Sequence, residues 1–358
     1  MSFRALRWYA ARDLRLEQVA TPELKPGQAR IKVERVGLCG TDIEEYLHGP
    51  LDIPMALPHP MSGRSAPLVP GHEVVGVVIE CPDDPAWVGR RVIPDVVNGC
   101  GRCWWCLRHE EGLCPDLVVL GMHDDGGLAE QMVCRSDTLV SVPEGVPVDV
   151  AVFAEPTSVA VRAVAKAGDL RGATVAVVGA GVIGNLVAQV ALAAGAQVVV
   201  QDPHKIRRQR APWPSVGAAA DRAAAARLIL DVHGGRLADV VFECAGRPQA
   251  LHDAIALARR GGTVVLMGLC AEEPSIPWRE VVLGEKRLVG SAAHIWDVDV
   301  ASAVRLLATG TVDPRPLVSQ VVGLEEVSAV LEELARPNEL AKVLVDPGRT
   351  EAARVDGR

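Results

Sequence analysis

Residues 172 to 201 carry no formal charge, and no other feature of this 358-residue chain restricts its fold as tightly. A run of that length could cross a bilayer as one helix. Its composition argues otherwise, because Gly179, Gly181, Gly184, Asn185, Gln189, Gly195 and Gln197 interrupt it. Its opening, Thr174 to Val178, reads as a continuous apolar strand. Val182, Ile183, Leu186, Val187, Val190, Ala191 and Ala194 then recur at helical spacing. Gln197 to Gln201 reads as a second strand. The run is therefore expected to be a buried strand–turn–helix–strand unit of a soluble protein.

The turn inside that unit is Gly179-Ala180-Gly181-Val182-Ile183-Gly184. A GxGxxG element is weak evidence alone, but here it follows an apolar strand and opens a helix, which is its confirming context. The first glycine permits the tight turn, the second lets backbone approach a pyrophosphate, and the third lets helix and strand pack closely. The helix N-terminus then offers free N–H groups to the phosphates. Asp202 ends the second strand, 18 residues beyond Gly184. A carboxylate there accepts hydrogen bonds from ribose hydroxyls and repels a 2′-phosphate, so NAD is expected over NADP. Lys205, Arg207, Arg208 and Arg210 follow closely and could hold a phosphate; a solvated helix face is the preferred reading of them.

Strand–helix alternation continues with Asp239 to Glu243, Thr263 to Met267 and Leu288 to Gly290, which implies a parallel sheet covered on both faces. The Ala-rich run Ala218 to Ala226 reads as helix former. The first 150 residues differ. Short β-type runs such as Ile31 to Val36 and Val74 to Ile79, spaced by Gly and Pro, suggest a partly open antiparallel β domain. A Pro-rich loop between Gly49 and Gly71 reads as functional or mobile. After residue 293 two helical segments and two short strands are expected, the last from Ala341 to Val345, with a frayed tail beyond Pro347.

Charge excludes some function classes. With 37 basic against 45 acidic residues, net −8, the chain lacks the basic face of a nucleic-acid binder and any pull towards an anionic membrane. Arg4, Arg7, Arg12, Asp13, Arg15 and Glu17 break any secretory apolar run, so a cytoplasmic location is expected. Four of nine cysteines cluster as Cys100, Cys103, Cys106 and Cys114, with gaps of two, two and seven residues. Four thiolates on one loop can close a tetrahedron around Zn²⁺, with an iron–sulfur cluster as the alternative. A closed four-sulfur site has no vacancy for substrate, so it is expected to be structural.

Gly37-Leu38-Cys39-Gly40-Thr41-Asp42, Gly71-His72-Glu73 and Ala154-Glu155-Pro156 each carry metal-ligand residue types. Singly, each has a bland explanation: a buried thiol, a satisfied core histidine, a helix-start carboxylate. In order, and with the four cysteines and the glycine turn, they resemble the zinc-dependent medium-chain dehydrogenases, the superfamily of alcohol, sorbitol, threonine and butanediol dehydrogenases. The likeness spans nearly the whole chain. Ala5 to Tyr9, Glu45 to Pro50 and Pro58-His59-Pro60 are most similar to the butanediol branch.

The resemblance implies a GroES-like, mainly antiparallel β catalytic domain over residues 1–153, its zinc lobe at about 98–116, a Rossmann doubly wound parallel sheet over 154–292, and a return segment over 293–358. It implies one structural and one catalytic zinc, the latter on Cys39 and His72 with Glu73 and Glu155 as alternative third ligands. It adds Arg207, Met267, Gly268 and Leu269 to the cofactor contacts of Gly179, Gly181, Val182, Ile183, Gly184 and Asp202. The implied reaction is reversible, NAD-linked oxidation of a secondary alcohol of vicinal diol, polyol or cyclitol type, with Thr41 taking the alcohol proton. The implied assembly is a homodimer or homotetramer. One departure stands out: the family's relay histidine is replaced by Glu44, so Glu44, His48 or the nicotinamide ribose would pass the proton on. Competing readings are a threonine-dehydrogenase-like or aminocyclitol dehydrogenase, a zinc-free reductase, and a catalytically silent NAD(H)-binding scaffold or sensor.

Overall fold

The computed structural model describes residues 1–210, 217–270, 272–336 and 339–349. The chain divides into two compact units. The first comprises Met1–Glu155, His294–Ala308 and Val318–Arg358; the second comprises Pro156–Ala293 and Thr309–Leu317.

The first unit is built on a largely antiparallel sheet. In spatial order its strands are Val318–Val322, Lys342–Val345, Gln28–Gly37, Glu73–Glu80, Arg91–Ile93 and Val140–Ser141, with Gln131–Arg135 also pairing Gln28–Gly37. The β-type runs seen in the sequence are its centre, and Ile31, Val33, Val36, Val74, Val75 and Val78 are all buried. Each such side chain contributes about 1.5–3 kcal/mol when fully buried. Gln28–Gly37 pairs Glu73–Glu80 with two register shifts, so that Gly37 ends opposite Glu73. That register carries the candidate site. A separate hairpin joins Ser2–Ala10 to Asp13–Ala20. The Pro-rich loop between Gly49 and Gly71 is anchored in the core, because Ile53 and Leu68 pack with Trp8 and the Trp8 N–H donates to Leu68 O at 2.9 Å.

The second unit holds a six-stranded, wholly parallel sheet. Its spatial order is Gly217–Ala219, Gln197–Gln201, Thr174–Val178, Ala238–Glu243, Ala258–Leu266, Arg287–Gly290. Counted along the chain from Thr174–Val178, this is the order 3-2-1-4-5-6 of doubly wound dinucleotide folds. The uncharged run is the strand Thr174–Val178, the helix Val182–Ala193 and the strand Gln197–Gln201. The core of the sheet is small and β-branched, with Ala176, Val199, Val241 and Val264 packed against Ile229, Leu251 and Ile255. No helix among the described residues is long and apolar enough to cross a membrane.

Three expectations shift. The alanine-rich run is not one helix: Gly217–Ala219 pairs in parallel with Val199–Gln201, and the helix starts only at Arg222. Its start is fixed by Asp221, whose side chain accepts the Ala224 N–H, so a cap and a sheet edge override alanine's helix preference. The strand expected at Thr263 to Met267 runs from Ala258 to Leu266. Beyond Pro347, Gly348 and Arg349 are still tied down, Arg349 donating to Val321 O, and the rest of the expected frayed tail lies outside the described residues.

Candidate active site

The glycine turn sits where the sheet reverses its order. Val178 pairs with Glu243, and Glu243 with Leu266, so Gly179, Cys244–Gly246 and Met267–Leu269 gather at the carboxyl ends of three adjacent strands. Each glycine has a distinct reason. Gly179 has φ +102°, and a Cβ on Gly184 would stand 1.8 Å from Gly179 O. Gly181 has nothing within 4 Å of where a Cβ would be, which leaves its backbone open to a ligand. Gly268 approaches Gly246 so closely that a Cβ would lie 2.1 Å from Gly246 N. Val182 and Ile183 open the helix.

Asp202 is buried, and both its oxygens are oriented by backbone. Ala180 N–H donates to Oδ2 at 2.9 Å and His204 N–H to Oδ1 at 2.7 Å. Each carboxylate oxygen keeps a lone pair for a further donor. The basic residues beyond it divide. Arg208 donates to the carbonyls of Asp202 and Pro203, whereas Arg207 stands 4.0 Å from Asp202 and is half exposed.

The four cysteines converge. Their sulfurs lie within 4.8 Å of one another, with Cys103 and Cys106 at 3.5 Å, and none is in a disulfide. The turn is tight, since a Cβ on Gly99 would meet Cys106 Sγ at 2.6 Å. The backbone N–H groups of Arg102 and Cys103 lower the Cys100 thiol to about 6. Burial first, then Cys103, raises that of Cys106 to about 12. Four sulfurs alone, closely packed, match a closed structural zinc site.

The second metal-capable group among the described residues is Cys39, His72 and Glu73, again within 4.8 Å. Strand register makes it. Cys39 lies two residues past Gly37, His72 lies one before Glu73, and Gly37 pairs with Glu73. Gly37 must lack a side chain, because a Cβ there would sit 2.0 Å from Glu73 Oε2. Cys39 precedes the helix Gly40–His48, and Asp42 in its first turn accepts the Cys39 N–H at 2.8 Å. The other Asp42 oxygen faces His72 Nδ1 at 3.5 Å. Burial disfavours the His72 cation, but Asp42 and then Cys39 more than reverse this, so its pKa stands well above the ordinary value.

This donor set fits zinc with an open position. It offers thiolate, imidazole and carboxylate, and the imidazole has the carboxylate behind it that oriented metal ligands carry. Thr41 Oγ1 adds a second sign, being buried with no hydrogen-bond partner. Glu44 lies apart from this group. Its side chain is 60 % exposed and 4.0 Å from His48, one helical turn on.

Glu155 also falls outside the three-donor group, and two residues that sequence reasoning missed decide where the carboxylates stand. Lys342 Nζ donates to both oxygens of Glu73, at 2.7 and 2.8 Å, and to Leu38 O at 3.0 Å. Burial raises the Glu73 pKa and Lys342 works against it. His294 Nε2 donates to Asp95 Oδ1 at 2.9 Å, and its Nδ1 stands 3.6 Å from Glu155 Oε1. Burial alone would lower the His294 pKa, but Asp95 and Glu155 raise it to about 10. A lysine inside the apolar strand Lys342–Val345 was a usable signal; the isolated His294 gave none.

Comparison with known proteins agrees with this geometry. Residues 25–144 match the alcohol dehydrogenase GroES-like domain, and residues 182–309 match the zinc-binding dehydrogenase domain. The chain is 30 % identical over 360 residues to an (R,R)-butanediol dehydrogenase of Neisseria gonorrhoeae, covering 96 % of this chain and 99 % of that one. Among solved structures it is similar to 2R,3R-butanediol dehydrogenase from Bacillus subtilis, with a TM-score of 0.87, 28 % identity, and 97 % and 100 % of the two chains covered. A zinc-binding dehydrogenase from Sinorhizobium meliloti, bound to NADP, aligns with a TM-score of 0.85 and 29 % identity over 97 % of this chain and 100 % of that one.

Proposed function

The chain belongs to the zinc-binding alcohol dehydrogenase family and acts on secondary alcohols, and we propose that it oxidises a vicinal diol, polyol or cyclitol to a ketone with NAD as the preferred acceptor. The observation that carries this reading is the Gly37–Glu73 pairing, which goes with Cys39, His72 and Glu73 lying within 4.8 Å of one another, while Thr41, two residues past Cys39, stands in the first turn of the helix Gly40–His48.

Cys39, His72 and a carboxylate, Glu73 or Glu155, would hold the zinc, and Cys100, Cys103, Cys106 and Cys114 the structural one. When bound, the open-site metal supplies a Lewis acid that acidifies the substrate hydroxyl, and the dinucleotide supplies the hydride acceptor. Thr41 Oγ1, which has no partner of its own, accepts the substrate proton. Thr41, Glu44 and His48 are three and four residues apart on one helix, so they share a face along which the proton leaves for solvent. Asp42 stands 3.5 Å behind His72 Nδ1 as a charged partner for that ring. The Gly179–Gly184 turn and the N-terminus of Val182–Ala193 bind the pyrophosphate, with Met267, Gly268 and Leu269 beside it. Asp202, already oriented by Ala180 and His204, accepts the ribose hydroxyls and disfavours a 2′-phosphate.

Metal analysis tests the frame and cofactor reduction tests the chemistry. Two zincs per chain are expected, with NADH formed from diols, sugar alcohols or inositol-type cyclitols. A single zinc per chain, or faster turnover with NADP than NAD at equal concentration, would count against the open site or the Asp202 assignment respectively.

A further inference from the structure

Lys342 opens the strand Lys342–Val345, and its side chain is buried against that of Glu73, 4 % and 2 % exposed. Its three acceptors match the three donors of an ammonium group. Nζ donates to Glu73 Oε1 at 2.7 Å, to Glu73 Oε2 at 2.8 Å and to Leu38 O at 3.0 Å. The same strand grips Leu38 a second time, since Leu38 N–H donates to Val343 O at 3.0 Å. Leu38 precedes Cys39 and Glu73 follows His72, so one side chain ties together the two segments that supply the open group.

Glu73 is close enough to Cys39 and His72 to be a ligand itself, with an oxygen within 4.8 Å of their donor atoms. A carboxylate bound to the metal would add a second anion beside the Cys39 thiolate and fill a coordination position. Two features restrain it. Lys342 takes a lone pair of each oxygen, and Oε2 packs against Gly37, 2.0 Å from where a Cβ of that residue would stand. A buried carboxylate stripped of its cation cannot stay uncompensated at low cost, and it turns to whatever positive charge remains in reach. In the loaded enzyme that charge is the metal.

We infer that Lys342 is a positioning residue of the open site, which holds Glu73 beside the metal as a neighbour and keeps it from becoming a persistent ligand. The inference rests on the reading that Cys39 and His72 bind a metal. With Lys342 in place, the position that Glu73 would fill stays free for the substrate oxygen. Without Lys342, Glu73 ligates, the metal is held more tightly, and the alcohol has to compete with a carboxylate for entry.

Cobalt(II) exchanged into the open site of the full-length enzyme reads this through its visible spectrum and its release to a chelator. Lys342→Met should hold the open-site cobalt about tenfold more tightly and change its spectrum, with KM for the alcohol raised about tenfold and kcat changed less; this is the lower end of what outer-shell partners are worth. The double variant Lys342→Met with Glu73→Gln removes one charge of each sign and leaves no unpaired ion in the core, so it stays measurable if the single variant does not fold. It should return cobalt affinity and spectrum to those of the wild type, because Glu73 gives the wild-type metal no bond to lose. A wild-type enzyme with only the four-cysteine metal overturns the open-site reading and the inference with it. Where the wild type holds two metals, three results overturn the inference alone. They are cobalt affinity unchanged or lowered in Lys342→Met, tighter cobalt with an unaltered spectrum (an effect of charge without ligation), and a double variant that binds cobalt at least tenfold more weakly than the wild type.

Discussion

In the four-cysteine lobe every donor comes from one short loop, Cys100 to Cys114, whereas Cys39, His72 and Glu73 meet only because two strands pair in one register. The lobe is sulfur throughout and needs only tight turns, supplied by Gly99 and Gly101. The open group mixes sulfur, nitrogen and oxygen, with Asp42 beside Cys39 and His72 and Lys342 bonded to Glu73. A closed site can be local because it only has to bind. A site that must also leave room for a substrate draws its parts from distant segments and needs outer residues to keep carboxylates in place.

Two cysteine substitutions put this contrast to the hardest test. Cys39→Ser should remove one zinc per chain and lower kcat/KM about a thousandfold, roughly 4 kcal/mol of transition-state stabilisation, while the melting temperature changes little. Cys103→Ser should do the reverse: the lobe zinc is lost and thermal stability falls, but folded molecules turn over within a few-fold of wild type. Metal analysis and calorimetry on both variants decide it. If Cys103→Ser abolishes turnover in well-folded protein, the lobe is not merely structural.

The same contrast explains what could be read in advance. Cysteine spacing and the GxGxxG turn are signals within one loop, and so the lobe and the dinucleotide turn were legible. The central strands of the parallel sheet, Thr174–Val178, Gln197–Gln201 and Ala238–Glu243, were legible because each is buried on both faces. Lys342 stood out as a lysine opening an apolar strand, but its partner Glu73, 269 residues away, was not legible, and neither was His294, whose partner Asp95 lies 199 residues away. Register was equally hidden: the two shifts between Gln28–Gly37 and Glu73–Glu80 leave no trace in a period-two pattern, yet they place Gly37 opposite Glu73. Glu44 was legible as a departure from the family but not in its placement, since only the folded helix shows it on the exposed face. The alanine run misled because propensity says nothing of a sheet edge waiting for Gly217–Ala219.

Lys342 offers the next largest effect. Lys342→Met removes the only cation bonded to both oxygens of Glu73 among the described residues and leaves a buried carboxylate behind. Stability should fall by about 3–5 kcal/mol in chemical denaturation. Lys342→Arg should recover part of it, and full stability in the methionine variant would show that Glu73 does not depend on the pair. Gly37→Ala should act more gently on the same spot. Its Cβ would collide with Glu73 Oε2, so the carboxylate must shift, for about 1–3 kcal/mol. The open site should then lose zinc to a chelator faster, with the four-cysteine zinc unaffected.

The smallest effect concerns how the lobe is tethered. His109 donates to Asp297 at 2.6 Å and lies 3.3 Å from Glu111, and the Asp297 hydrogen bond is the main reason its pKa is raised. A histidine whose folded pKa exceeds its unfolded value stabilises the fold fully below the unfolded value, about 6.5. That contribution is lost as pH rises through the folded value. The ring is 44 % exposed, so solvent screening limits it to a few tenths of a kcal/mol. The zinc-loaded protein should therefore lose a small increment of thermal stability from neutral to mildly alkaline pH, and His109→Gln should flatten that slope. Hydrogen exchange should place the loss in the lobe around Cys106–Arg108 and leave the open group, whose His72 is buried beside Asp42, unchanged. A slope that persists in His109→Gln would move the tether elsewhere in the lobe.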